Sequence, residues 1–401
     1  MNDKLKKLST WAKEDLSENL LKWWAAFTVD EKNGGFYGTV RSDNTPDENA
    51  SRAIVLNSRL VWTFSAAYAV TKNEKHKEMA ERAYLYFTKH FYDDKFGGFH
   101  SEVGYTGRPI SEHKFMYGNA FAVYGLSEYS RVFGCENAKK LAMETVSLMD
   151  ENMWDYEHGG YFETATNNWK YAPEIITAIN EDIKNQKTMN THLHIMEAYA
   201  NLLILADSGD SKALRSRTRE LVNLFINKII NPTNHHVYYF QTRDWLPTTY
   251  EFSLGHDIEA SWLLTWAAEV LGEPEIIAVA KTAGINLARA VYDDGIAESG
   301  AIHTSYFPKT RKFSENFSWW EQNEGVVGFL NAFQITGEKK FLDASLDALN
   351  FIDKHFIDKE RGGWFTHVNS QNIPMKNNDK SGVFVCPYHN ARMSIELINR
   401  V

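Results

Sequence analysis

In the stretch GHDIEASW, residues 255–262, His256, Glu259 and Trp262 recur at steps of three, so a helix sets them on roughly one side. A histidine and a carboxylate at that spacing can share a metal ion, pass protons to a substrate, or form a buried hydrogen-bonded pair. Zinc would require two or three His or Cys ligands in a spacing such as H-E-x-x-H, and this chain has none. A metal site assembled from the distant His194, His256 and His389 has no Asp/Glu-rich cage beside it, and Glu259 is better placed to hold an imidazole tautomer than to ligate. No metal is expected. Proton transfer suits these residues, because histidine, with an ordinary pKa of about 6.5, takes and returns a proton near neutrality. Two imidazoles facing a carbon from opposite sides, His256 and His389, could remove a proton from one face and return it to the other. His389 sits in PYHNARM, 387–393, where proline opens a helix and the imidazole projects from its start.

Glycoside hydrolysis is the rival chemistry. It needs two carboxylates at a defined separation, which Glu259, Glu324 and Asp182 could supply, but the prominence of histidine argues against it. A barrel that binds sugar without turning it over is the alternative from outside enzymology. In MNTHLHIMEAY, 189–199, His192 and His194 point about 200° apart on a helix and cannot share an ion, whereas Asn190 and His194 share a face. His192 reads as a hydrogen-bonded packing residue and His194 as functional.

These residues need elements to bring them together, and the chain carries a repeat that would. NGGFYG at 33–38, FGGFH at 96–100, HGGYFE at 158–163 and RGGWFTHV at 361–368, with weaker echoes in HHVYYF and DDGIAESGAIHT, recur about every sixty residues. Gly-Gly followed by aromatics reads as a turn entering a short strand. Between these signatures lie charged, amphipathic stretches at 5–26, 75–91, 137–153, 213–230, 275–291 and 339–356, predicted as outer helices. More apolar stretches at 52–70, 115–131, 188–206, 256–271, 318–335 and 388–399 are predicted as inner helices. Six such pairs close into an all-α (α/α)6 barrel with short β-hairpin elements at one end, inner helices pointing their N-termini at one mouth. No Pro/Ser-rich linker divides the chain, so residues 1–401 read as one domain. The segment 164–187 accounts for the one long interval and is expected to fold over the mouth.

Polar or aromatic residues unusual for an inner helix recur near its start in every unit. They are Arg59, Tyr117 with Asn119, Asn190 with His194, His256 with Glu259, Trp320 with Glu324, and His389 with Asn390 and Arg392. Side chains that keep the repeat's phase should converge in one pocket, which core histidines with no shared role need not do.

Composition narrows the partners. A net charge of −9 without a run of five Lys or Arg argues against nucleic acid. The N-terminal stretch is charged throughout and lacks the apolar run of a signal peptide or membrane span, so a cytoplasmic location and no membrane partner are expected. A monomer is the expected state. Cys135 and Cys386 are far apart, without CxxC spacing, and read as isolated thiols. The 12 Trp, 19 Tyr and 24 Phe suit either core packing or stacking on sugar faces.

Taken in order, NSRLVWTFSAAY, KFMYGNAF, MNTHLHIMEAY, GHDIEASWLL, WWEQNEGVVGF and PYHNARM resemble the N-acylglucosamine 2-epimerase superfamily, most closely the cellobiose 2-epimerases, across all six units. The resemblance implies an (α/α)6 barrel and reversible epimerization at C2 of a reducing-end glucose, with no redox cofactor. It implies His256 and His389 as the acid/base pair and His194 and Arg59 as ligands for the enediolate oxygens. Glu259 would support the histidine. Tyr117, Asn119, Asn190, Trp262, Trp320 and Glu324 would shape the sugar site, with Asp182 near the mouth. Where the family commonly carries Trp and Lys before PYHN, this chain has Phe384 and Val385. A Phe384 wall weakens the case for a disaccharide and keeps a mannose 2-epimerase or mannose isomerase in view.

Overall fold

Residues 2–175, 186–206 and 211–401 are described by a computed structural model. The apolar stretches form inner helices Ile54–Thr71, Met116–Phe133, Met189–Leu203, Leu254–Leu271, Trp319–Thr336 and Tyr388–Arg400. The amphipathic ones form the outer layer: Asn2–Glu14 with Leu21–Phe27, Glu74–His90, Glu136–Met153, Ser211–Leu224, Pro274–Asp294 and Lys339–His355. Two outer helices carry a π turn: Asp15–Leu20, beyond which the helix continues, and Phe225–Ile229, where the helix ends. Each inner helix packs on the inner helices before and after it, the sixth also on the first, so the ring closes as an (α/α)6 barrel. An inner helix is therefore walled by protein on every side, which is why its sequence lacks a polar face.

Tight turns take the first, second, fourth and fifth inner helices into the following outer one. Gly134, Gly272 and Gly337 sit just past inner-helix ends at φ of 66°, 72° and 73°, with no atom near where a Cβ would stand, so glycine serves there only for the left-handed backbone. The Gly-Gly signatures lie at the opposite end. In four of them an aspartate, Asp30, Asp93, Asp155 or Asp358, accepts backbone N–H bonds from the turn. Arg52, Lys114, Lys187 and Lys380, a few residues ahead of an inner helix or its entering strand, reach back to those same carboxylates.

The expectation of hairpins is corrected in part. Glu102–Val103 with Pro109–Ser111, and Ser305–Phe307 with Lys312–Phe313, are hairpins. The other strand pairs join the segment entering one inner helix to the loop of the next unit, as Arg52–Ala53 does with Glu102–Val103 and Phe317–Ser318 with His367–Val368. The leading N–H of five inner helices donates to a carbonyl of that loop: Ile54 to Ser101, Met116 to Glu163, Met189 to Tyr239, Leu254 to Thr304 and Trp319 to Thr366. A backbone belt thus does the capping that side chains usually do. Among the described residues no helix is long and apolar enough to cross a membrane. Of the segment 164–187 expected to cover the mouth, residues 176–185 lie outside the described residues.

Candidate active site

Each inner helix brings the residue at its second place, its sixth place or both to the axial cavity, positions four apart and so on one face. In the second and third helices these are Tyr117 with Phe121 and Asn190 with His194; Arg59 and Glu259 take the sixth place in the first and fourth, and Trp320 and His389 the second place in the fifth and sixth. They meet at a cavity of about 260 Å³ lined by Arg59, Tyr117, Asn190, His194, His256, Glu259, Trp320, Phe384 and His389, with Tyr239 and Trp319 besides. His256 and His389 flank the Trp320 ring, whose centroid lies 4.7 Å from the first imidazole and 5.5 Å from the second.

The three cavity histidines are held differently. His194 Nδ1 pairs with Glu197 Oε2 at 2.8 Å, and His389 Nδ1 with Glu324 Oε1 at 2.7 Å, so each presents Nε2 away from its carboxylate. His256 Nδ1 instead pairs with Ser253 Oγ at 2.6 Å. Burial pushes His256 and His389 well below the ordinary histidine pKa, the guanidinium of Arg59 adding to the effect, and lowers His194 as well. Near neutrality all three are uncharged bases.

Arg59 is 2% exposed and makes no carboxylate ion pair among the described residues. Its guanidinium lies 4.1 Å over Phe121 and 4.7 Å over Tyr388, and Nη2 donates to the Tyr117 hydroxyl at 2.7 Å. A buried cation with no compensating anion favours an anionic guest. The converging N-termini of the inner helices add partial positive charge at the same place. Arg392 is the opposite case. Its guanidinium reaches Glu197, Glu259 and Glu324 as well as the Tyr388 hydroxyl, and forms a compensated floor.

Several sequence assignments move. Asn119, fourth on its helix, points about 200° from Tyr117; its Oδ1 accepts from Phe99 N–H at 3.0 Å and its amide donates to backbone carbonyls, so it pins a Gly-Gly turn. Trp262 lies below the floor, where Nε1 donates to Glu324 Oε2 at 3.0 Å, and is no part of the cavity wall. Glu324 stands behind His389, out of the lining. Glu259 does line the cavity but does not hold His256. From the first turn His256 reaches the cap residue Ser253, while Glu259, one turn lower, bonds Arg392. Since Glu259 and Glu324 both bond one guanidinium nitrogen and Glu324 does not line the cavity, they do not present a free carboxylate pair to a glycosidic bond. Asp182 lies outside the described residues. Glu259, Glu324 and His389 bring ligand-type atoms within 4.8 Å of one another, but Arg392 already bonds both carboxylates.

His192 packs as its spacing indicated: Nδ1 bonds the Thr188 carbonyl at 2.7 Å and Nε2 accepts from Tyr161 N–H at 2.8 Å. Sequence reasoning missed Glu197, Ser253, Tyr239 and Tyr388. Glu197 was findable, since it follows His194 at the same three-residue step that drew attention to His256 and Glu259. Tyr239 lies within the weak repeat HHVYYF.

The family profile of N-acylglucosamine 2-epimerase (GlcNAc 2-epimerase) matches residues 35–389. The chain is 36% identical over 385 residues to a cellobiose 2-epimerase of Bacteroides fragilis, covering 96% of this chain and 97% of that one. It is 33% identical to a cellobiose 2-epimerase of Dictyoglomus turgidum, over 99% and 100% of the two chains. The solved cellobiose 2-epimerase of Bacillus thermoamylovorans superimposes with a TM-score of 0.93 at 31% identity, over 100% of both chains. This protein belongs to the N-acylglucosamine 2-epimerase family. It is an enzyme of the isomerase class.

Proposed function

We propose that this enzyme is a sugar 2-epimerase that interconverts glucose and mannose at the reducing end of a β-1,4-linked disaccharide, converting cellobiose to 4-O-β-D-glucosyl-D-mannose. Ring opening breaks C1–O5 and places a proton on O5. One of His256 and His389 then takes the C2 proton, and the electron pair moves through C1–C2 to O1, giving a cis-enediolate. Arg59 and His194 hold its oxygens. After the sugar rotates, the other histidine, having first taken up a proton from solvent, gives that proton to the opposite face of C2, and the first histidine returns its own to solvent. Charge builds on O1 in the transition state, where a desolvated guanidinium is most effective. Each positioned acid or base contributes about 10² to 10⁴ in rate.

The observation that carries this reading is the meeting, in one cavity, of uncharged imidazoles with a buried guanidinium that has no acid partner among the described residues. The two acid/base candidates differ in a useful way. His389, backed by a carboxylate, is the better carrier of positive charge, and His256, backed by a hydroxyl, the better neutral base. Tyr117, Asn190, Trp320 and Phe384 bound the sugar.

A second reading, epimerization or isomerization of free mannose, is favoured by Phe384. It lines the cavity and meets Tyr117 edge-on at 6.3 Å, offering a smaller stacking face than the tryptophan common at this position. One experiment separates them: incubation of cellobiose, lactose, glucose and mannose in D2O with chromatographic separation of products. Deuterium at C2 of epimerized cellobiose is expected. Its absence from C2 of every recovered sugar would sink the epimerase reading. Label confined to free monosaccharides transfers it to mannose, and ketose product identifies an isomerase.

A further inference from the structure

The axial stripe of the inner helices continues past the floor. One to three turns beyond, it opens on a second cavity of about 240 Å³ at the far end of the barrel. Trp62, Tyr124 and Trp262 line it on the side of the catalytic floor, and Glu128, Asn201 and Trp266 line it further along. That upper side is the underside of the site described above. Trp262 donates to Glu324, the carboxylate that holds His389, and lies under the Arg392 guanidinium at 4.9 Å.

The lining has the marks of a built site. Trp62 is 6% exposed, yet its Nε1–H is buried without a partner among the described residues. A phenyl ring there would avoid stranding a donor. Half-buried Trp266 has no ring or cation stacked on it among the described residues. Glu128 and Asn201, 3% and 6% exposed, bring acceptors and an amide to the same space. The charges here are already matched, Glu128 with Arg131 at 2.9 Å and Glu396 with Arg400 at 2.5 Å, so an ionic guest gains little. Trp62 already stacks on Tyr124 at 5.2 Å, and the Trp266 face, with the Trp62 N–H donor and side-chain acceptors around it, suits a small neutral ring having C–H faces and hydroxyl edges.

We infer that this lower cavity is a second binding site for a neutral monosaccharide, separate from the catalytic cavity and touching it through Trp262. The inference rests on the lower lining and is independent of the epimerase reading. The test is titration of the full-length ¹⁵N-labelled protein with D-glucose, following indole N–H signals, with Trp62 assigned by its loss in Trp62→Phe. The Trp62 signal should shift saturably, and Ala69→Phe, which fills the cavity from its rim, should abolish that shift while sparing turnover and any response of Trp320. A Trp62 signal unmoved at about 0.1 M glucose, where a millimolar site is filled, overturns the inference; so does a shift that survives Ala69→Phe. Should Trp62→Phe fail to fold, a crystal grown with glucose answers without a variant: sugar in the lower cavity supports the inference, and an empty lower cavity overturns it. Failure of the epimerase reading looks different, as a Trp62 shift with no deuterium at C2.

Discussion

At the scale of single residues, the partner behind each imidazole matters more than the imidazole's own type. His256 and His389 are both buried and both depressed in pKa, yet one leans on a hydroxyl and the other on a carboxylate. Glu324 does not itself line the cavity and acts through His389, so Glu324→Gln is expected to lower kcat roughly 10²-fold with little change in KM. Losing the carboxylate also disfavours the charged imidazole, so whichever limb of the pH profile reports His389 should move to lower pH. Steady-state kinetics across pH checks both; an unshifted profile would assign Glu324 to packing alone. The identities of the three cavity histidines were legible from phase and Glu197 from its step of three after His194, whereas the partners of His256 and His389 were not. Ser253 and Glu324 come from the cap of one helix and the body of another, and no local spacing relates Glu324 to His389.

At the scale of elements, position along the inner helix sorts the residues. The second and sixth places face the axis; the fourth faces the Gly-Gly loops, where Asn119, His192, Asp257 and Gln322 each accept the N–H of a loop residue, from Phe99, Tyr161, Val237 and Ile302. Both sets keep the sixty-residue phase, which is why Asn119 read as a site residue. Asn119→Ala leaves the buried Phe99 N–H unsatisfied and is expected to cost about 1–3 kcal/mol of stability in urea unfolding, with KM for the sugar unchanged. A raised KM at wild-type stability would return Asn119 to the sugar site. The helices themselves were legible almost to their ends, since an apolar stretch walled on all sides and an amphipathic one at the rim differ plainly in composition. The strands were read as hairpins because a two-residue strand carries no signal of which distant loop it joins.

At the scale of the whole molecule, the ring is tied at the mouth by buried Asp pairs and along the axis by the Arg392 network. Asp30, Asp93, Asp155 and Asp358 all have carboxyls held below the ordinary value by turn N–H groups and by Arg or Lys partners, against the opposing effect of burial. A depressed folded pKa adds stability that is present above the unfolded value of about 3.9 and lost as pH falls through the folded one. Buried His192, lowered to about 3, acts in the same direction there, because the unfolded chain binds its proton first. The thermal midpoint should therefore drop steeply below about pH 4. A midpoint unchanged between neutrality and pH 3 would show that these pairs contribute nothing. The two axial cavities share one charged layer, so occupancy of the lower one is expected to be felt at His389 through Trp262 and Glu324.

Sequence alone determined the six-unit repeat, the two classes of helix, the mouth at which inner helices begin and the histidines and arginine that meet there. Each of these is written in period and composition, properties local to a unit. Only the tertiary structure decided which carboxylate backs which imidazole, that Arg59 meets no acid among the described residues while Arg392 is bonded to three carboxylates, and that Trp262 faces away from the catalytic cavity. Those facts arise where different helices meet across the axis. Contact between residues 65 to 195 apart follows from closing the ring, which no spacing along the chain encodes.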